Sequence, residues 1–266
     1  MLLNDPNIDA VYIPLPNHLN REWTIRAAKA GKHVLCEKPA ALLVKELHEM
    51  VDACKENKVI FMEAFAFRCH PEWKRIKDLL DSNVVGEIKN VHASFSIFVD
   101  SPNDFRLNPQ MGGGVLNDLG SYCIHGIRFI MGDEPTRILA MSQLAHDQII
   151  DLSLVATMEF PGGRLGSLYC TFQGEYNQKI EITGTEGFMS ICWPFRHPVI
   201  TIQKGGKTQT EMYHIQINSY TEQIEHFCTC ILENNTPIYS PDESIANMTV
   251  VDKVRANFSE VSGEKI

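Results

Sequence analysis

Apolar and polar positions change their rhythm once along the chain. Before about residue 65 the runs are those of a parallel α/β unit. Ile8 to Pro14 (IDAVYIP) is apolar and β-branched, the pattern of a strand buried on both faces. Such a strand needs neighbours on both sides, which predicts further chain upstream. Residues 19 to 30 (LNREWTIRAAKA) carry apolar positions at helical spacing and stop at Gly31, a residue suited to a left-handed helix end. His33 to Cys36 reads as a strand, Ala41 to Asn57 as an amphipathic helix and Val59 to Ala64 as another strand. This β-α-β-α-β order implies parallel strands with helices over the sheet.

From about residue 66 the texture differs. One helix near Pro71 to Ser82 leads into short alternating runs at 87–98, 136–144, 151–160, 164–173, 178–183, 187–193, 198–203 and 208–215. Turn residues such as PGG at 161–163 and KGGK at 204–207 suit hairpins. A helix at roughly 114–131 interrupts the strands, and helices near 218–233 and 241–257 close the chain. The expected architecture is α/β plus α+β: an N-terminally truncated Rossmann-like parallel sheet, then a large, mostly antiparallel open sheet with helices on one face. The expected domains are 1–65, partial and dinucleotide-binding, and 66–266, for substrate binding and oligomerisation.

Composition narrows the classes. With 24 Lys and Arg against 33 Asp and Glu the net charge is -9, which argues against nucleic acid as a partner. No apolar run approaches the roughly 20 residues of a membrane span, and the start lacks a basic region followed by an apolar signal stretch. The eight cysteines form no CxxC pair and read as reduced core thiols. A cytoplasmic protein with no membrane partner is expected.

Two motifs can carry chemistry. Glu37-Lys38-Pro39 follows a strand at the carboxyl edge of the parallel sheet, where open α/β sheets bind ligands. By itself Lys38 reads as a solvated loop charge, although the proline holds it in a defined direction. The second is Gly112-Gly113-Gly114 leading into a helix, in which Asp118 and Tyr122 lie four residues apart and share a face. By itself that is a turn and a hydrogen-bonded pair. Gly120 within the helix suggests a close approach. His70, just before Pro71, reads at least as readily as a hydrogen-bonded structural histidine as a site residue. His226, Cys228 and Cys230 do not converge on one helix face, and His92, His125, His146, His197 and His214 have no ligand spacing, so no metal site is expected.

Taken together, EKP after a parallel strand and GGGxxxDxGxY some 70 residues later resemble the glucose-fructose oxidoreductase, inositol dehydrogenase and rhizopine-catabolism (Gfo/Idh/MocA) family. The resemblance runs through IDAVYIPLPN at 8–17, AAKAGKHVLCEKP at 27–39, MEAFAFRCHP at 62–71, VGEI at 85–88 and FRLNPQMGGGVLNDLGSYCIH at 105–125. It implies an NAD(P)-dependent oxidoreductase that moves a hydride between the nicotinamide and a sugar, polyol or related cyclic hydroxyl compound. It further implies that Lys38 points at the reacting carbon and the nicotinamide, with Asp118 across the cleft orienting the substrate hydroxyl or Lys38. Tyr122 would be the general acid/base, as in the branch holding glucose-fructose oxidoreductase, NADP-linked xylose dehydrogenase and dimeric dihydrodiol dehydrogenase. A phenol is a poor base at neutral pH and needs a cation such as Lys38 nearby. Pro14, Asn17, Glu37 and Glu63 would line the nicotinamide and ribose side, and Arg106 would reach cofactor or substrate. Members commonly dimerise through the open face of the second sheet, so a homo-oligomer is expected.

Two departures stand out. Where the family motif reads PNxxH, this chain has Asn20. The strand, GxGxxG turn and helix that open other members have no counterpart in these residues, so the sequence as it stands is expected to bind NAD or NADP poorly. The alternative reading is a non-catalytic sugar-binding or oligomerisation module.

Overall fold

The computed structural model describes residues 2–145, 149–212 and 218–260, with side chains through residue 258. His146, His214 and the end of the strand expected at 208–215 lie outside the described residues. In chain order the first elements are β1 (Ala10–Ile13), α1 (Asn17–Lys29), β2 (His33–Glu37), α2 (Val44–Glu56) and β3 (Phe61–Ala64). Then come α3 (Pro71–Asp81), β4 (Ile88–Phe98), a π-helical turn over Leu116–Gly120 and α4 (Ser121–Met131). Strands β5 (Arg137–Leu144), β6 (Asp151–Phe160), β7 (Arg164–Thr171), β8 (Gln173–Gly184), β9 (Gly187–Cys192), β10 (Val199–Lys204) and β11 (Lys207–Met212) follow. Helices α5 (Ser219–Glu233) and α6 (Pro241–Ala256) and the short β12 (Phe258–Glu260) complete it.

The chain divides into two compact units. One comprises 1–70, 110–112 and 217–249, the other 71–109, 113–216 and 250–266. In the first, β1, β2 and β3 form a parallel sheet in that order. Val34, Leu35 and Cys36 of the central strand are all buried, as expected of a strand covered on both faces. Alternation sends Leu35 and Met62 to one side, where Phe227 of α5 packs on them and on Ala64. Helix α1 packs on β2 and against α2. Gly31, with φ of +73°, takes the left-handed position beyond α1.

In the second unit nine strands run in the order β11-β10-β9-β8-β4-β7-β6-β5-β12. Neighbours are antiparallel except β4 with β7 and β5 with β12. Helix α4 packs on β4 and β7 with Cys123, Ile124 and Ile127 fully buried. Trp73 of α3 meets the ring of Phe129 edge-on at 5.2 Å and donates its indole hydrogen to Pro194 O at 2.7 Å. The opposite sheet face is open and carries exposed Leu139, Met141, Val155, Leu165 and Tyr169. No helix among the described residues is long and apolar enough to cross a membrane.

Candidate functional site

In the first unit the three strands end in register, Ile13 beside Cys36 and Cys36 beside Glu63. Pro14, Glu37 with Lys38, and Ala64 therefore share the carboxyl edge of the sheet, the edge at which such sheets take ligands. The backbone on both sides of Lys38 is held by buried side chains. Asn20 Nδ2 donates to Glu37 O at 3.3 Å and to Pro39 O at 3.2 Å. Ala40 N donates to Glu63 Oε1 at 2.8 Å. The Lys38-Pro39 peptide is cis.

Glu63 is buried, and burial pushes its carboxyl up to about 7. The Ala40 amide, the Ser244 hydroxyl and the Lys38 charge act in the opposite direction. Glu37 accepts from the Tyr12 hydroxyl at 2.5 Å and from Lys38 N at 3.2 Å. Partial burial, and then the hydrogen bond to Glu37, hold the Tyr12 phenol above its ordinary value. Asn17 is buried, and its amide donates to Gly112 O at 2.9 Å. Glu63 and Asn17 thus anchor backbone within this unit, which their motif positions alone did not disclose.

Asn20 is the residue that sequence reading missed. It was visible only as a departure from a motif, yet it stands one helical turn after Asn17 on the buried face of α1 with Thr24, Ala27 and Ala28. A buried amide on such a face must bond to something. That was the available signal.

The second unit brings Arg106 and Asp118 together. Arg106 Nε donates to Asp118 Oδ2 at 2.7 Å, and its Nη1 donates to both oxygens of Asp104 at 3.2 Å. Burial works to lower the guanidinium, but Asp118 and Asp104 outweigh it and hold it above its ordinary value. The same segment ties down the glycines: Gly113 N donates to Asn108 O at 3.0 Å and Gly114 N to Arg106 O at 2.8 Å.

The helix expected at roughly 114–131 is present over 115–131, with a π-helical turn inside it. Asp118 lies in that π-helical turn, and regular α-helix resumes at Ser121. A π turn holds more residues per turn, so four-residue spacing alone does not set the Asp118–Tyr122 register. The Tyr122 ring is fixed instead by aromatic contacts, 5.0 Å from Phe195 and 5.8 Å from Phe95 between centroids. At Gly120 an added Cβ would meet only the flexible end of Leu116 closely, at 3.0 Å.

His70 is buried. His226 Nε2 accepts from Ile238 N at 2.8 Å and lies 3.4 Å from Cys230 Sγ, and burial lowers its pKa. Among the described residues no group of three or more His, Cys, Asp or Glu could hold a metal ion.

Comparison with known proteins follows the same division. Residues 1–65 match the oxidoreductase family with an NAD-binding Rossmann fold, and residues 73–190 match the GFO/IDH/MocA C-terminal domain. An oxidoreductase of Rhizobium meliloti, ORF334, is 35% identical over 263 residues, covering 96% of this chain and 79% of that protein. D-xylose 1-dehydrogenase (NADP(+)) 2 of Haloferax volcanii is 30% identical over 259 residues, covering 95% and 79% respectively. Among solved structures, the 3-ketoreductase KijD10 of Actinomadura kijaniata, in complex with NADP and TDP-benzene, aligns with a TM-score of 0.92 at 28% identity. That alignment covers 98% of this chain and 81% of the other.

Proposed function

The chain belongs to the Gfo/Idh/MocA family of NAD(P)-dependent oxidoreductases, and from that premise we propose that Lys38, Asp118 and Tyr122 carry out reversible oxidation of a sugar or polyol hydroxyl. One observation carries this reading. An ammonium-bearing residue stands at the carboxyl edge of a parallel sheet with its backbone clamped on both sides by buried Asn20 and Glu63. A solvated loop lysine needs no such clamp.

The same clamp suits a nicotinamide cofactor, because that edge is where open parallel sheets take nucleotides. Pro14, Asn17, Glu37, Lys38 and Glu63 would hold it, with Arg106 reaching cofactor or substrate. When bound, the nicotinamide supplies the hydride acceptor or donor. Tyr122 takes the substrate hydroxyl proton at its phenolate oxygen in the oxidising direction and returns it in the reducing direction. Lys38 contributes the positive charge that favours the substrate alkoxide, and Asp118, held by Arg106, orients the substrate hydroxyl. The unit of residues 1–70, 110–112 and 217–249 serves the cofactor, and the second unit serves substrate and self-association. The relatives' names favour aldoses and related sugars as substrates.

Five exposed apolar side chains on the open face of the second unit's sheet support a homodimer, and eight free thiols suit a reducing cytoplasm. The test is kinetic. With a panel of aldoses and polyols and NAD+ or NADP+, Lys38→Met and Tyr122→Phe each lower kcat by roughly 10² or more, the scale for losing a positioned proton-transfer group, at unchanged melting temperature. Full activity in Tyr122→Phe would remove it as the acid/base.

A further inference from the structure

Asp151, the first residue of β6, is buried and has no part in the scheme above. Its Oδ2 accepts from Leu116 N at 2.7 Å. That amide opens the π-helical turn carrying Asp118, where backbone donors lack partners within the helix. The other carboxylate oxygen fills the place of a missing side chain. Gly114 has φ of +107°, and a Cβ there would fall 2.1 Å from Asp151 Oδ1. The carboxylate and the glycine therefore require one another.

A second clamp holds the next residue. Arg255 of α6 donates from Nη2 to Asn117 Oδ1 at 2.7 Å, and Asn117 Nδ2 donates to Gly113 O at 3.0 Å. Burial pushes the Asp151 carboxyl up to about 6, while the Leu116 amide, its own amide and Arg255 pull it down; the Cys170 thiol also feels its charge. A hydroxyl or amide cap would avoid much of the desolvation of a buried acid. The side chain is there for its reach to the Leu116 amide.

We infer that Asp151 is a positioning residue: by gripping Leu116 N over Gly114 it fixes the π turn, and with it Asp118 and the start of the helix bearing Tyr122. The inference rests on the assignment of Tyr122 above. It extends that assignment to a residue about thirty positions away in sequence, touching neither substrate nor cofactor.

The experiment compares Asp151→Ala, Asp151→Asn and Tyr122→Phe in the full chain, with two readouts. One is ultraviolet titration of the Tyr122 phenol, isolated by subtracting the Tyr122→Phe counterpart of each protein, together with amide exchange over residues 113–122. The other is kcat and KM on the substrate panel. Asp151→Ala is expected to move the phenol midpoint by about half a pH unit or more, to speed exchange in that segment, and to lower kcat roughly tenfold with little change in KM. Asp151→Asn keeps an acceptor for Leu116 N and is expected to restore all three. Asp151→Ser, too short to reach the amide, carries the same expectation as Ala if the Ala variant does not fold. An unchanged phenol titration and kcat in Asp151→Ala would overturn the inference. Full activity in Tyr122→Phe would instead strike the site assignment, leaving exchange and titration to judge Asp151 separately.

Discussion

Arg106 and Asp118 form an ion pair of 2.7 Å, Nε to Oδ2, while the same guanidinium also bridges to Asp104. The pair ties the segment before the glycines to the turn after them, and Asp118 is the more enclosed partner, its side chain 13% exposed. The fork of one arginine serves two carboxylates, which a lysine, a single point charge, does not reproduce. Arg106→Lys is therefore expected to lower kcat/KM by about tenfold, nearly as much as Arg106→Ala. Steady-state kinetics checks this, and wild-type values in the lysine variant would contradict it.

Asn20 satisfies two backbone carbonyls around Lys38 from a fully buried position. Asn20→Ala strands both, and leaving buried polar groups unpaired costs on the order of 1–3 kcal/mol. Urea unfolding should show that loss. Because the slack falls on the residues flanking Lys38, kcat should drop more than KM rises. A variant as stable and as active as the parent would show that Asn20 does not hold the Lys38 backbone.

The buried Glu63 carboxyl, raised to about 7, links stability to pH. Its folded value lies above the unfolded one, near 4.5, so the folded state binds the extra proton. This group's contribution is most favourable below about 4.5 and is lost as pH rises through about 7. Glu63→Gln keeps an acceptor for Ala40 N and carries no charge. Relative to wild type, Glu63→Gln should therefore gain stability between pH 5 and pH 8, by roughly 2–3 kcal/mol at 1.4 kcal/mol per pH unit. Thermal or urea unfolding at both values measures it, and a difference independent of pH would refute the linkage.

On the open sheet face Met141 lies opposite Val155, and Val155 opposite Tyr169, in one row across β5, β6 and β7. Exposed apolar rows of this kind mark contact surfaces. Light scattering at micromolar concentration is expected to give a dimer, and Val155→Lys with Tyr169→Lys to give a folded monomer. A monomeric parent protein would refute this.

Local patterning determined much of the fold. The apolar run at Ile8 to Pro14 marked a strand, but β1 is only partly buried, with Tyr12 50% exposed, and the strand covered on both faces is the central β2. Gly31 marked the end of α1 because only a left-handed residue fits there cheaply. The alternation in Asp151–Phe160 delimited β6 to the residue. Strand β8 begins five residues before its expected start because Gln173 and Asn177 are solvent-facing polar residues held in the ladder by pairing with Phe98 and Ser96 of β4, not by their own apolarity. The two motifs were legible as well, because their residue types and spacing are themselves the signal. Tertiary structure decided what depends on the path of the chain. It set Phe227 of α5 on the first unit's sheet, although α5 lies over 150 residues beyond β3 in sequence. It put a π turn where apolar periodicity reads as plain helix, since a single wide turn hardly disturbs a 3.6-residue pattern. It also gave Asn20, Glu63 and Asp151 their backbone partners. Hydrophobic periodicity records which side of an element is buried, but the partner of a buried polar atom is fixed only when distant backbone arrives beside it.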